Sequence, residues 1–144
     1  PPIPKYIDTW DNPWSEKGKK YPLLMVSSHC KTRALSQNHL VPWMRELFVQ
    51  TVTMNAADAA QRGIKTGDMA RVFNDLGEMA IPARVTERIM PGVVDVPQGG
   101  WYEPDDKGVD RGGCVNTVTP DEPSPGGALA SNAVLVQVEK IQEA

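Results

Sequence analysis

The stretch that decides the fold is residues 54–86, MNAADAAQRGIKTGDMARVFNDLGEMAIPARVT. Its first part predicts a short helix over residues 56–62. Asn55 is a favourable N-cap, and Asp58 three residues later completes a pair that resembles a capping box. Gly63 suits the left-handed position that follows many helices. The stretch therefore begins with a short, sharply ended helix.

The second part of this stretch predicts a β-hairpin. Residues 69–73, Met-Ala-Arg-Val-Phe, have the pattern of a half-buried strand. Residues 74–77, Asn-Asp-Leu-Gly, have the composition of a hairpin loop. Residues 78–86 return as a second strand. Pro82 cannot donate a ladder hydrogen bond, so we expect an irregularity there.

The rest of the chain adds short strands and little helix. Short apolar or alternating runs predict further strands over residues 23–26, 51–54, 93–96 and 133–140. A second helix of one or two turns is predicted over residues 42–48, where a proline stands near the start. The 13 prolines and 12 glycines also favour turns and strands over long helices. Five to seven short strands point to a mainly β fold, closed or nearly closed into a barrel.

Composition excludes two classes of partner. The formal charge is −3 and the 15 basic residues are scattered, so the chain has no basic footprint for nucleic acid. No apolar run approaches the roughly 20 residues that cross a bilayer, and no secretory signal is visible, so no direct membrane insertion is predicted. The sequence starts at Pro1 without a methionine, from which we expect a fragment of a longer polypeptide or a processed product.

Residues 1–22 predict an irregular N-terminal strap, distinct from a barrel domain over residues 23–144. They carry prolines and aromatic residues without helical or strand periodicity. Trp10 and Trp14 could pack against this domain or against a neighbouring one, and the sequence leaves both alternatives open.

The chain lacks the motifs of self-contained catalysis. It has no P-loop, no GxSxG elbow and no HExxH motif, so we predict no catalytic residue and no metal ligand within it. Two cysteines, Cys30 and Cys114, are too few for a cysteine-rich metal site. Buried thiols are the favoured interpretation, and a disulfide between them stays open.

Two loops are the candidate functional segments. We call residues 27–38 the polar loop, which follows a predicted buried strand, and residues 98–119 the glycine loop. Paired glycines would let backbone approach a flat or anionic ligand, and Asn116 offers an amide suited to a heterocycle edge. The alternative, that both loops are structural connections, stays open. Acidic residues in the glycine loop lack the spacing of a calcium loop. The scaffold is expected to hold the two loops apart.

Several ordered motifs resemble one known family. The chain is similar to the C-terminal molybdopterin-dinucleotide-binding domain of the dimethyl sulfoxide reductase family, and in particular to its anaerobic branch. The resemblance is carried by residues 28–37 (SHCKTRALSQ), 54–64 (MNAADAAQRGI), 72–77 (VFNDLG), 91–94 (PGVV), 99–104 (GGWYEP), 112–119 (GGCVNTVT) and 131–140 (SNAVLVQVEK). It implies a double-psi β-barrel with one or two short helices, the last domain of a large catalytic subunit that binds bis-molybdopterin guanine dinucleotide.

The resemblance also implies a set of cofactor-binding residues. They are Ser28, His29, Arg33, Ser36, Gln37, Gln98, Trp101, Gly113, Cys114, Asn116 and Asn132. The molybdenum ligand would belong to an earlier domain, so this domain alone is expected to be inactive. Cys30 and Leu35 stand where the family often has proline and histidine.

The implied partners are the remaining domains of the same catalytic subunit, an iron–sulfur electron-transfer subunit and a membrane anchor. Periplasm and cytoplasm both stay open as the compartment. An alternative function is a free-standing double-psi barrel that recognises proteins or substrates for another machine.

Overall fold

The computed structural model describes residues 3–4, 12–123, 126–129 and 132–142. Six strands, three short α-helices and one 3₁₀-helix make up its regular structure. In chain order they are α1 (Glu16–Lys20), β1 (Leu23–Val26), α2 (Pro42–Leu47), β2 (Val52–Asn55), α3 (Ala56–Gln61), β3 (Met69–Phe73), β4 (Glu78–Thr86), β5 (Val93–Asp95), the 3₁₀-helix (Val115–Thr117) and β6 (Val134–Lys140).

The six strands form a closed barrel in the order β1-β5-β2-β4-β3-β6. Two pairs are parallel: β1 with β5, where Leu24 is opposite Val93, and β2 with β4, where Val52 is opposite Ala83. The other four pairs are antiparallel, and the pairing of β1 with β6 closes the barrel. This mixed, closed topology confirms the predicted mainly β, double-psi barrel architecture.

Apolar side chains from all six strands fill the barrel interior. Each strand contributes at least one side chain that is fully buried, as alternation across a strand dictates. The members include Leu23, Met25, Val52, Met54, Val72, Met79, Ile81, Val94, Val136 and Val138. Val118 and Ile64, which lie in connecting segments, also pack in this core. This core fixes the strand ends from which the functional loops depart.

Helix α3 has the predicted N-cap, Asn55, and the predicted left-handed glycine, Gly63, after its last turn. The Asn55 side-chain oxygen accepts a hydrogen bond from the Ala57 amide at 2.8 Å. Gly63 has φ +63°, and the Ile64 amide donates to the Ala59 carbonyl at 2.9 Å, as in a Schellman ending. The capping-box prediction for Asp58 is wrong. Its buried carboxylate accepts a hydrogen bond from the Gly92 amide at 2.7 Å, so it ties α3 to a remote turn.

The predicted hairpin is present, with β3 and β4 paired along residues 69–73 and 78–82. Pro82 produces no break in β4, contrary to expectation. The Ala83 amide donates to the Asp68 carbonyl at 2.8 Å, on the side of β4 that faces β3. Because backbone groups alternate in direction along a strand, the nitrogen of Pro82 faces the other neighbour, β2. Pairing with β2 starts only at Ala83. The missing proline donor therefore falls where no ladder bond is needed.

The N-terminal stretch contains a helix that the sequence analysis did not predict. Ser15 caps α1 by accepting a hydrogen bond from the Gly18 amide at 3.1 Å. The hydroxyl of Tyr21, the residue that ends α1, donates to Asp75 in the β3–β4 loop at 2.7 Å. Residues 16–20 are thus fastened to the barrel, while Trp14 is exposed and Trp10 lies outside the described residues.

Two further predictions concern cysteines and membranes. Cys30 is buried, Cys114 is half-buried, and both are free thiols, so they form no disulfide. Within the described ranges, no helix has the length and apolarity needed to cross a bilayer.

Candidate functional site

The polar loop and the glycine loop meet at one end of the barrel. They leave the carboxyl ends of β1 and β5, and because these strands are parallel both loops emerge on the same side. The Gln98 amide donates to the Ser28 carbonyl at 2.9 Å, and the Trp101 indole donates to the Ser36 carbonyl at 2.9 Å. The expectation that the scaffold holds these loops apart is wrong.

Glycines in the glycine loop permit this close approach. Gly99 has φ +86°, and a Cβ atom built on it would lie 1.8 Å from the Leu35 carbonyl oxygen of the polar loop. A Cβ atom on Gly100 would lie 2.5 Å from the Gly113 carbonyl oxygen. Both glycines are thus required for contacts between protein segments, and their predicted role in backbone approach to a ligand stays a prediction.

A buried carboxylate organises the glycine loop from within. Asp110 is fully buried and accepts backbone hydrogen bonds from Glu103 at 2.9 Å, Gly112 at 2.9 Å and Cys114 at 2.6 Å. The sequence analysis considered Asp110 only in connection with calcium. The local signal for this role is an Asp two residues before a pair of glycines, since Asp side chains bond backbone amides a few residues onward in such turns.

A second clamp, Gln50, joins the two loops and was not predicted. Its amide nitrogen donates to the Pro97 carbonyl at 2.6 Å and to the Gly113 carbonyl at 3.0 Å. Its amide oxygen accepts from Arg33 at 2.7 Å. No local pattern around Gln50 signals this role, because its partners lie far along the chain.

An open cleft of about 250 Å³, the interloop cleft, lies between the two loops and the start of β6. It contains five of the predicted site residues: Ser36, Gln98, Cys114, Asn116 and Asn132. The remaining lining residues are Ser27, Leu35, Gly99, Gly100 and Val115. Hydroxyl, amide and backbone groups dominate this lining, which includes no lysine or arginine from the part of the chain that the structure describes.

Two polar groups of the interloop cleft are available to a ligand. Asn116 is exposed in the 3₁₀-helix, and its amide makes no hydrogen bond within the described ranges. The Ser27 hydroxyl is buried and has no partner among these residues. In contrast, the Asn132 oxygen already accepts a hydrogen bond from the Ser27 amide at 3.1 Å. Asn116 is therefore the strongest candidate contact of the predicted set.

The other predicted site residues lie around the cleft. Ser28 donates from its amide and hydroxyl to Asp95, at 3.0 and 2.8 Å. Exposed His29 has a ring nitrogen 3.0 Å from the Gln98 side-chain nitrogen. Gln37 is exposed, and Gly113 is buried with φ +72°. These four residues therefore lie beside the cleft and do not line it. The whole set of cofactor-binding residues stays a prediction.

Arg33 lies outside the interloop cleft, in a cavity of about 170 Å³ between α2 and the barrel. We call it the arginine cavity, since Arg45 and Arg111 also line it. Arg33 donates to Gln50 and to the Gln98 carbonyl, the latter at 3.0 Å. Its guanidinium therefore braces the two loops.

The arginines around this cavity bond other protein groups, although the Nε atom of Arg33 is buried without a partner among the described residues. Arg45 donates to both carboxylate oxygens of Glu103, at 2.8 and 3.0 Å. Buried His39 stacks on Trp101, with ring centroids 6.3 Å apart. Burial lowers the pKa of His39, and the Arg33 and Arg45 charges act in the same direction. The side chains around the arginine cavity thus connect α2, the polar loop and the glycine loop. In the described part of the chain, no cluster of three or more His, Cys, Asp or Glu residues could hold a metal ion.

Comparison with known proteins supplies the family. Residues 23–133 match the family model described as the Molydopterin dinucleotide binding domain. The chain belongs to this family. The match confirms the predicted family and the class of cofactor, a molybdopterin dinucleotide.

Relatives extend far beyond the matched segment. The chain is 43% identical over 141 residues to dimethyl sulfoxide reductase DmsA of Escherichia coli K12, covering 97% of this chain and 17% of that protein. It is 40% identical over 124 residues to the dimethyl sulfoxide/trimethylamine N-oxide reductase of Cereibacter sphaeroides, covering 78% of this chain and 15% of that protein. The chain therefore spans less than a fifth of the length of these relatives, both of which are named as reductases.

A solved structure agrees with the fold. Acetylene hydratase from Pelobacter acetylenicus superimposes with a TM-score of 0.81 at 19% identity, over 97% of this chain and 21% of that one. At this identity the similarity concerns the fold alone. Because the relatives are larger enzymes, the reading as an enzyme domain fits better than that of a free-standing recognition module.

Proposed function

We propose that this domain forms one wall of a bis-molybdopterin guanine dinucleotide site in a dimethyl sulfoxide reductase-like catalytic subunit. The whole protein would reduce or dehydrogenate a small substrate. The observation that carries the proposal is the interloop cleft, which gathers Asn116, Ser36 and Gln98 beside backbone of the glycine loop. When bound, the cofactor supplies the redox chemistry, and the protein supplies orientation.

The donor set of the cleft fits the ring systems of this cofactor. Pterin and guanine edges present alternating donors and acceptors, and an amide such as Asn116 can pair with both kinds of group. The buried, unpartnered Ser27 hydroxyl is a second group that a bound ring edge would satisfy. We therefore assign the cleft to a heterocyclic end of the cofactor.

The same cleft does not fit the pyrophosphate. Phosphate groups favour arginine, lysine or clustered backbone amides, and among the described residues no cationic side chain lines the interloop cleft. Arg33, the predicted candidate, is already engaged with Gln50 and Gln98. A volume of about 250 Å³ is also smaller than the roughly 300–1,000 Å³ typical of whole-ligand sites. The remainder of the cofactor would therefore be held by other parts of the subunit.

The wider proposal follows the family resemblance. It includes the remaining domains of the same catalytic subunit, an iron–sulfur electron-transfer subunit and a membrane anchor as partners. Relatives that are more than five times as long as the matched segment support the first of these partners.

Substitution of Asn116 in the full-length subunit tests the site. Asn116→Ala removes an exposed amide with no described intrachain bond, so folding is expected to be unchanged while cofactor affinity falls. Loss of one or two hydrogen bonds of about 0.5–1.5 kcal/mol each corresponds to roughly a 2- to 150-fold weaker binding. Guanine nucleotide and molybdenum per subunit, and reductase activity, are the measurements.

Gln61→Ala is the matched control, since it removes an exposed amide on α3, away from the cleft. Unchanged cofactor content and activity in Asn116→Ala would contradict the site assignment. Arg33→Ala is less suitable, because loss of its braces to Gln50 and Gln98 would perturb the loops themselves.

A further inference from the structure

Helix α2 has two apolar stripes, and this domain covers only one of them. Met44 and Phe48, four residues apart, face the arginine cavity and are half-buried, with the Arg33 guanidinium 5.5 Å from the Phe48 ring centre. Trp43 and Leu47, also four residues apart, remain 64% and 73% exposed. No residue of α2 is buried. A helix with apolar residues on more than one stripe is normally packed on more than one side.

Further exposed apolar side chains lie near the exposed stripe in the chain or in the glycine loop, and we call the whole set the α2 face. Large apolar side chains of the same chain region and of the glycine loop are likewise exposed by about half or more. The members are Leu35, Leu40, Trp43, Leu47, Val49, Trp101 and Tyr102. Where exposed apolar side chains lie together in one patch, they mark an interaction site.

Specific contacts hold the two parts of this surface together. Arg45, on α2, pairs with Glu103, the residue after Tyr102, at 2.8 Å. His39 stacks on Trp101, and the Trp101 indole bonds the Ser36 carbonyl. These contacts hold α2 and the end of the polar loop against the part of the glycine loop that carries Trp101 and Tyr102.

We infer that the α2 face docks onto the remainder of the same catalytic subunit, through an apolar surface of that remainder. This inference rests on the proposed function. Leu35 belongs both to the α2 face and to the rim of the interloop cleft, so the two surfaces are continuous. Whatever region completes the cofactor site must approach across that shared rim, and in the relatives more than four-fifths of the chain lies outside the matched segment.

Site-specific photo-cross-linking in the full-length subunit tests this docking. p-Benzoylphenylalanine replaces Leu47 on the α2 face or, as a matched control, Met90. Met90 is also apolar and 69% exposed, but it precedes β5 and so lies at the opposite end of the barrel from the cleft. We expect cross-links from position 47 to residues of the same polypeptide outside these 144, and few from position 90.

Three outcomes would overturn the inference: no cross-link from position 47, equal yields from both positions, or cross-links from position 47 to a second copy. The last outcome is recognised by mixing isotopically light and heavy subunits before irradiation.

A paired variant tests the same docking without a probe. Trp43→Ser with Leu47→Ser changes only exposed side chains, so unfolding of the 144-residue chain is expected to be unchanged. In the full-length subunit the variant is expected to lose protection of this domain against limited proteolysis, whereas Met90→Ser retains it. Full protection in the paired variant would overturn the inference.

Failure of the docking and failure of the proposed function are distinguishable. Cofactor content of Asn116→Ala reports on the interloop cleft, and cross-linking from position 47 reports on the α2 face. Normal docking with unaffected cofactor in Asn116→Ala would reject the site assignment alone. Reduced cofactor in Asn116→Ala without cross-links from position 47 would reject the docking alone.

Discussion

Replacing Asp110 is expected to unfold the glycine loop and to remove much of the stability of the domain. Asp110→Ala would leave three backbone amides, those of Glu103, Gly112 and Cys114, without their acceptor. A buried donor without a partner costs about 1–3 kcal/mol, so the loss for three donors should reach about 3–9 kcal/mol. Domains of this size are stable by only about 5–15 kcal/mol in total.

Asp110→Asn should have a smaller effect. The retained amide oxygen can still accept from Glu103 and Gly112, whereas an NH₂ group facing the Cys114 amide cannot accept at all. One lost bond to a buried donor gives an expected loss of about 1–3 kcal/mol. The two variants should therefore differ in a graded manner.

Urea unfolding of the 144-residue chain measures both losses, and amide hydrogen exchange at Gly112 and Cys114 localises them. Asp106→Ala serves as control, because Asp106 is exposed in the same loop and should change stability by no more than about 0.5 kcal/mol. If Asp110→Ala stayed within about 1 kcal/mol of the parent chain, the view of Asp110 as the organiser of this loop would be refuted.

Three further predictions concern the junction of the two loops. Gly99→Ala should be destabilised by about 1–3 kcal/mol more than Gly108→Ala in urea unfolding, because both glycines have positive φ but only Gly99 would bring its Cβ against backbone; equal losses would contradict this. Gln50→Leu should lower the free energy of unfolding by about 2–4 kcal/mol, since two carbonyls and one guanidinium lose their partner; a loss like that of an exposed Gln→Leu change would disprove the clamp. The lowered pKa of His39 means that the unfolded chain binds more protons just below pH 6.5, so stability should fall as the pH falls from about 6.5; a His39→Gln variant that keeps the parent's slope between about pH 5.5 and 6.5 would exclude His39 as the cause.

Local chemistry explains which parts of the fold could be predicted. Asn55 and Gly63 act on groups within four residues of themselves, so the start and end of α3 are legible in the sequence. Asp58 was misinterpreted because its partner, Gly92, is 34 residues away. Helix α1 was overlooked although its cap, Ser15, is a standard one, since the surrounding prolines obscured it.

The candidate site could be predicted as residues but not as an arrangement. Family resemblance picked out Asn116 and Ser36, yet nothing in their local patterns brings them into one cleft. That proximity comes from the parallel pairing of β1 with β5, a contact between segments some 70 residues apart. The role of Gln50 could not be predicted either, because its side chain donates to backbone carbonyls 47 and 63 residues away. No sequence motif surrounds it.

The closure of the barrel by β1 and β6 has a consequence for the order of assembly. β1 ends at Val26 and β6 begins at Val134, so during synthesis β1 must wait for about 110 further residues before it gains its second neighbour. At a synthesis rate of roughly 5–20 residues per second, about 5–20 seconds pass before the barrel can close. Asn132, two residues before β6, lines the interloop cleft, so the cleft too is complete only after that strand has docked. Under the proposed function, this wall of the site can bind cofactor only after β6 has been synthesised and has docked.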